Sequence, residues 1–154
     1  MVLVTNPRGS SGYGNAFSMA LWQKWGIPDF QDVMAGVDYA IERGWADPQR
    51  LGVGGWSYGG ILTDHVITKT DRFKAAITGA SEFLYVSNYG HDHYQLGNER
   101  EWGNPWESRE LWEELSPWND IANVTTPTLC MGGTIPFLTR GISANLAAAT
   151  RVHA

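Results

Sequence analysis

The chain has a single cysteine, Cys130, in 154 residues, which rules out an internal disulfide framework and any cysteine-rich zinc site. It also lacks a basic excess: eleven lysines and arginines stand against sixteen acidic residues, for a net charge of −5. Phosphate-backbone binding needs a concentrated positive field that this balance does not supply, so nucleic acid is not an expected partner. No apolar run approaches bilayer length, and the opening Met1-Val2-Leu3-Val4-Thr5 gives way to Asn6-Pro7 too early for a signal peptide. No membrane partner is expected, and the chain reads as soluble with its compartment undetermined. Repeats, charge blocks and low-complexity linkers are missing as well. What is present is 43% hydrophobic content with eight tryptophans, enough for one packed domain without clear room for two.

The glycines sit at the ends of apolar runs, where they make turns rather than spacers. Val2 to Thr5 is a short β-prone run closed by Asn6-Pro7, followed by a loop in which Gly9, Gly12 and Gly14 are free to take positive φ. From Asp29, the residues Phe30, Val33, Met34, Val37 and Ile41 recur at helical spacing, with Asp29 as N-cap and Gly44 just past the last turn. Leu51 to Gly54 predicts a buried strand, and a second helix starts near Ser57 and runs through Ile61, Leu62, His65 and Val66. Ala75 to Thr78 predicts another strand. An aromatic-rich excursion fills Ser81 to Glu101, Pro105 to Leu115 reads as a helix, and Thr128 to Met131 as a last strand after Pro127. Strands separated by helical patterns predict βαβ units, hence an α/β fold with a mainly parallel sheet and helices on both faces.

Gly55-Trp56-Ser57-Tyr58-Gly59 matches G-x-S-x-G at the junction of a predicted strand and helix, the context that gives this pattern meaning. In such an elbow the serine occupies a strained turn. The flanking glycines, with Gly60 beyond them, are expected to be required because a side chain would strike the neighbouring strand or helix. The Ser57 hydroxyl would stand at the C-terminal edge of the sheet, where the helix N-terminus and the Tyr58 backbone N–H can stabilise an oxyanion. The competing reading is an ordinary glycine-rich strand-to-helix turn with a chance serine.

These residues, together with Asn6-Pro7-Arg8-Gly9-Ser10-Ser11-Gly12-Tyr13-Gly14, the helix from Asp32 to Arg43, Asp47-Pro48 with Arg50, and Ser116-Pro117 followed by Pro127, resemble the prolyl oligopeptidase family over about residues 1 to 133. The likeness is greatest to its acylaminoacyl-peptidase and dipeptidyl-peptidase branches. It implies an α/β-hydrolase fold, truncated here at both ends, that β-propeller blades precede in the family. It also implies Ser57 as acyl-forming nucleophile, Tyr58 as one oxyanion donor, no cofactor and no metal, and a peptide as substrate in the full-length relatives. The aromatic residues Phe83, Tyr85, Tyr89 and Tyr94 fall where the family walls the pocket for the residue before the scissile bond, which implies an apolar or aromatic preference. Each ring taken singly is equally well read as core cover.

A serine hydroxyl needs a histidine to remove its proton and a carboxylate to orient that histidine. In α/β-hydrolases the order is Ser, then Asp or Glu, then His, yet no acid follows Glu114 and Asp120. The family places an Asp a few residues after the Gly-Gly of the last strand, followed by Val-Pro, whereas this chain continues Gly133-Thr134-Ile135-Pro136-Phe137-Leu138. His65 lies within the helix after the elbow and reads as structural. His91 and His93 flank Asp92 without a third metal ligand. His153 follows Gly133 too closely for the helix and strand that normally intervene. The family's His-Gly-Gly-Pro-like segment, whose loop completes the oxyanion hole, has no counterpart in this sequence. The expectation is a domain over 1–133 that does not hydrolyse by itself, with a divergent tail over 134–154. That tail reads as frameshifted: a one-base slip back across the codons of Thr134 to Leu138 permits Asp, a variable pair, then Val and Pro. Genomic sequencing across the junction is expected to show a Gly133 codon ending in G; any other third base removes the Asp.

Two other patterns are present. Trp102, Trp106, Trp112 and Trp118 accompany Glu99, Glu101, Glu107, Glu110, Glu113 and Glu114, a mixture that paired-carboxylate glycosidase chemistry also shows; clustering on one helix and its approach favours a solvated face with aromatic anchors. Arg8 and Asp32 are candidates for an ion pair beneath the elbow. A small esterase with acid and base from unusual positions, and a non-catalytic fragment that self-associates through exposed sheet edges, are the competing functional readings.

Overall fold

The computed structural model describes residues 1–90 and 93–132. His91, Asp92, His153 and the tail expected to be frameshifted lie outside the described residues. Three strands, β1 (Gly52–Trp56), β2 (Ala75–Gly79) and β3 (Thr128–Met131), form a parallel sheet in the order β1-β2-β3. Helices fill the connections: α1 (Asn15–Met19), α2 (Pro28–Glu42), α3 (Tyr58–Lys69), α4 (Tyr85–Asn88), α5 (Gln95–Trp102) and α6 (Arg109–Leu115), with a 3-10 segment at Pro117–Asn123. A parallel pair requires a crossover connection, and α3 supplies the one between β1 and β2.

The register puts Gly54, Ile77 and Leu129 in one row and, two positions on, Trp56, Gly79 and Met131 in another. Rows of this kind belong to one sheet face because successive strand side chains alternate. Trp56, Ile77, Leu129 and Met131 are all exposed on that face. The opposite face carries Val53 and Ala76, which pack with Ile67 of α3, Phe83, Ile121 and Val124. Among the described residues, therefore, helix and loop cover one face of the sheet, and the other carries these exposed side chains, as in part of an α/β-hydrolase sheet.

The second core cluster is aromatic. Ile61, Tyr85, Trp102, Trp112 and Leu115 are buried together, with Trp25, Tyr58, Tyr89 and Leu111 packed around them. Trp102 stacks on Tyr85 with centroids 5.1 Å apart and meets Trp25 and Trp112 edge-on at 4.7 and 4.9 Å, the offset and T-shaped contacts that ring quadrupoles favour. Trp102 and Trp112 are thus core side chains, while Trp106 is exposed. The carboxylates near them have structural partners: Glu101 accepts from the Gln23 amide and the Trp25 indole, Glu99 from Tyr89, and Glu113 pairs with Arg109.

Two expectations need correction. Val2–Thr5 does not form a strand, because no backbone hydrogen bond joins it to a neighbouring row among the described residues; a strand exists only by pairing. Helix α2 begins at Pro28, whose missing N–H and fixed φ suit the first helical position, so Asp29 lies inside the first turn and is not the N-cap. At the other end Gly44 takes φ 71° and its N–H bonds to Ile41, the left-handed closure expected of glycine there.

Candidate active site

β1 runs into α3 through one residue, Ser57, at φ 57° and ψ −125°. A non-glycine residue held there stores roughly 1–3 kcal/mol of strain. Two backbone bonds hold it: the Ser57 N–H donates to Gly79 O of β2 at 2.9 Å, and Ile61 N–H donates to Ser57 O at 3.0 Å. The Ser57 side chain is exposed at the C-terminal end of β1. Tyr58 follows as the first residue of α3, where a backbone N–H has no carbonyl one turn back to receive it.

The glycines around the serine are not equivalent. A Cβ on Gly55 would stand 2.2 Å from Gly59 O, and one on Gly60 would stand 2.5 Å from Gly79 O and 2.9 Å from Ser81 Cβ. These two positions let the helix approach the strands. A Cβ on Gly59 meets nothing within 4 Å, so the expectation that Gly59 also avoids a clash is corrected; it is the backbone that Gly55 makes room for. Gly79 is needed by the motif's tryptophan, whose ring covers it at 2.2 Å from a would-be Cβ.

The elbow is tied to the preceding segment. Tyr58 donates its hydroxyl to Asp29 Oδ2 at 2.7 Å, and Phe30 N–H donates to Asp29 Oδ1 at 2.9 Å. Burial raises the Asp29 pKa, and the Tyr58 hydrogen bond holds it back; burial and the Asp29 charge raise that of Tyr58. The ion pair expected between Arg8 and Asp32 is present, with Arg8 Nη2 2.8 Å from Asp32 Oδ1 and Arg8 N–H donating to Oδ2 at 2.7 Å. Hydrogen bonding from Arg8 lowers the Asp32 pKa. Arg8 also donates to Pro28 O at 3.0 Å, so the loop after residue 5 is anchored to the start of α2.

The other predicted residues separate into different places. Phe83 and Tyr85 are 3% and 0% exposed, one in each core cluster. Tyr89 is half-buried against Trp106 and Trp112, and of these three aromatics it is the one that keeps surface. His65 is buried in α3 with Nε2 2.9 Å from the Tyr85 hydroxyl. Burial, reinforced by Lys69, pushes its pKa down to about 3. Eight residues of helix place it roughly 12 Å along the axis from Ser57. His93 is exposed and its ring lies tilted against that of Tyr94, with centroids 4.1 Å apart. Among the described residues no hydrogen bond reaches the Ser57 hydroxyl, and no three metal-ligating side chains come together.

Sequence reasoning missed the Tyr58–Asp29 bond, which spans 29 positions, and the environment of Asp64. Asp64 is fully buried beside Thr78 and Ser81, with neither carboxylate oxygen in good hydrogen-bond geometry. Burial raises its pKa to about 8, with the two hydroxyls limiting the rise.

A parallel sheet whose strand enters a helix through a positive-φ serine, flanked by glycines that allow their close approach, has the architecture of the α/β-hydrolase fold. The particular lineage follows from comparison: the chain belongs to the prolyl oligopeptidase family, whose sequence profile matches residues 1–135. It is 40% identical over 147 residues to the uncharacterized peptidase YuxL of Bacillus subtilis, covering 86% of this chain and 20% of that protein. It is 36% identical to the acylamino-acid-releasing enzyme of Arabidopsis thaliana, covering 86% of this chain and 19% of the relative. Among solved structures it superposes on the Pyrococcus horikoshii acylaminoacyl peptidase with a TM-score of 0.85 and 28% identity, over 96% of this chain and 25% of that one. A Mycobacterium tuberculosis puromycin-hydrolyzing peptidase gives 0.83 and 31%, over 94% and 22%. The chain thus spans about a fifth of the length of the curated relatives it matches.

Proposed function

We propose that Ser57 is the nucleophile of a serine-type peptidase site and that the chain by itself retains this nucleophile without sustained turnover. In the proposed reaction Ser57 Oγ attacks the carbonyl carbon of a peptide bond as its proton passes to a base. The carbonyl oxygen becomes an oxyanion that the Tyr58 N–H, at the positive end of α3, stabilises as one donor. Collapse expels the amine with that proton and leaves an ester on Ser57, which water then hydrolyses. The observation that carries the reading is the strained, exposed Ser57 between β1 and α3, in a chain whose family is prolyl oligopeptidase.

The lack of turnover rests on the sequence order of acid and base and on the absence of any described hydrogen bond to the Ser57 hydroxyl. Losing the base of such a triad removes most of the rate advantage, several orders of magnitude. For the substrate we propose a peptide with an apolar or aromatic residue before the scissile bond, with Tyr89 as the candidate wall and Tyr85 in the core cluster it packs against, while Phe83 belongs to the other cluster.

A fluorophosphonate probe tests the reading on the purified chain beside Ser57→Ala. The folded chain is expected to stay unlabelled, or to label at least a thousandfold more slowly than an intact serine hydrolase. Rapid labelling abolished by Ser57→Ala would keep the nucleophile and overturn the inactivity, pointing to an esterase or peptidase with acid and base from unusual positions. Rapid labelling that survives Ser57→Ala would overturn the assignment of Ser57.

A further inference from the structure

Helix α3 is fastened at both ends to the turn that leads into α2. At its start the Tyr58 hydroxyl donates to Asp29 Oδ2 at 2.7 Å, and at its end Lys69 Nζ donates to Gly26 O. Between these ties the His65 ring lies against Gly26, where a Cβ would stand 2.2 Å from Nδ1. The turn is held from its far side as well, because Arg8 donates to Pro28 O at 3.0 Å and pairs with Asp32. Asp29 is fully buried, and a buried carboxylate is costly unless hydrogen bonds surround it. Its two oxygens serve two helices: Oδ1 accepts Phe30 N–H at 2.9 Å in the first turn of α2, and Oδ2 accepts from the first residue of α3.

The Tyr58 ring also meets Trp25 edge-on with centroids 5.0 Å apart, and Trp25 in turn donates its indole N–H to Glu101 at 3.0 Å. Hydroxyl and ring together fix the side chain at two points. Side chain and backbone N–H belong to one residue, so holding the ring also holds the direction of the N–H. Phenylalanine would satisfy the packing; the hydroxyl adds a directional tie. The residue before it is the one that needs such a tie. Ser57 sits at φ 57°, a conformation that persists only where its surroundings over-determine it. Its own backbone is held by Ser57 N–H to Gly79 O and Ile61 N–H to Ser57 O, and the Tyr58 side chain is the next tie along the chain.

Resting on the reading of the Tyr58 N–H as an oxyanion donor, we propose that Asp29 is a positioning residue for that donor. Through the Tyr58 hydroxyl it fixes the turn from which the N–H is presented; it acts through Tyr58 and not on the reacting atoms. Its own place is stable for the task, in the first turn of a 15-residue helix whose dipole favours an anion there. Stabilisation of an oxyanion depends on donors that are aimed before the charge develops. A loosened turn therefore loses the aim of the N–H while leaving the side chain at position 57 exposed.

The test uses the full chain carrying Ser57→Cys, so that a thiolate forms without a histidine base, and Cys130→Ala, so that no other thiol reacts. The thiolate adds to the carbonyl of p-nitrophenyl acetate, giving an oxyanion that expels p-nitrophenolate and leaves a thioester. With iodoacetamide it displaces iodide and leaves a thioether, with no oxyanion formed. The ratio of acylation to alkylation rates is expected to fall at least tenfold on adding Tyr58→Phe or Asp29→Ala, and no further when both are added. Alkylation itself is expected to stay within about twofold, since the thiol remains exposed. By amide exchange, the Ser57-position and Ile61 N–H groups are expected to open at least tenfold more readily, while residues 66–69 of α3 keep their protection and report that each chain is folded. Tyr58→Phe keeps the ring packing and decides the outcome if Asp29→Ala unfolds. An unchanged ratio, or equal acceleration of exchange throughout α3, would overturn the proposal. A ratio for Ser57→Cys alone no higher than that of an unstructured cysteine peptide would instead overturn the oxyanion reading on which it rests.

Discussion

Gly55→Ala is expected to destabilise the chain by roughly 3–5 kcal/mol, toward the severe end of single substitutions, whereas Gly59→Ala, four residues on, is expected to stabilise it by up to about 1 kcal/mol. The contrast arises from where each Cβ would go. At Gly55 it would meet the Gly59 carbonyl at 2.2 and 2.3 Å, and these are backbone atoms that no rotamer change can move. The first turn of α3 would have to retreat from β1. That retreat would also loosen the contact with β2, because α3 approaches it closely at Gly60, where a Cβ would lie 2.5 Å from Gly79 O. At Gly59 the Cβ would meet open space on a helical residue, where alanine reduces backbone entropy in the unfolded chain and has the better helix propensity. Urea denaturation of the two variants beside the parent chain measures both signs. Equal losses would mean that the elbow is held by something other than this strand-to-helix contact.

What was legible in the sequence was legible because it is local. The elbow announces itself through a glycine-serine spacing at a strand-helix junction, and the last strand, Thr128–Met131, has its predicted bounds because Pro127 and Gly132 delimit a short apolar run. The run Val2–Thr5 has equally strong β propensity, yet its state depends on a neighbouring backbone row, which propensity does not encode. Phe83, Tyr85 and Tyr89 look alike in sequence; only tertiary packing assigns two to the core and leaves one with surface. Helix α3 shows the same limit in a different form. It is buried at Gly60, Ile61 and Thr63 through Thr68, so it has no polar face to identify, and the amphipathic pattern that places α2 gives no reason to put Asp64 inside. The Tyr58–Asp29 bond was equally hidden, because it joins a motif residue to a helix start that spacing assigns to capping.

The adjacent buried pair Asp64 and His65 is expected to give the chain a stability plateau bounded on both sides by pH. The Asp64 pKa is raised from 3.8 to about 8, so its folded form holds a proton that the unfolded form has released. Its contribution is complete below pH 4 and is lost as pH rises through 8, at about 1.4 kcal/mol per unit. The His65 pKa is lowered from 6.5 to about 3, so the unfolded form binds the extra proton and stability is lost as pH falls from 6.5 towards 3 at the same slope. Between pH 4 and 6.5 the two slopes cancel; above 6.5 the aspartate acts unopposed, and stability falls until about pH 8. Asp64→Asn keeps the shape and removes the titration, so its advantage over the parent is expected to open from pH 4 upward and reach about 5 kcal/mol by pH 8. Denaturation midpoints of the two chains at pH 5, 6.5 and 8 measure the difference directly. A difference independent of pH would mean that Asp64 is ionised in the folded state, and the carboxylate would then need donors beyond the hydroxyls of Thr78 and Ser81.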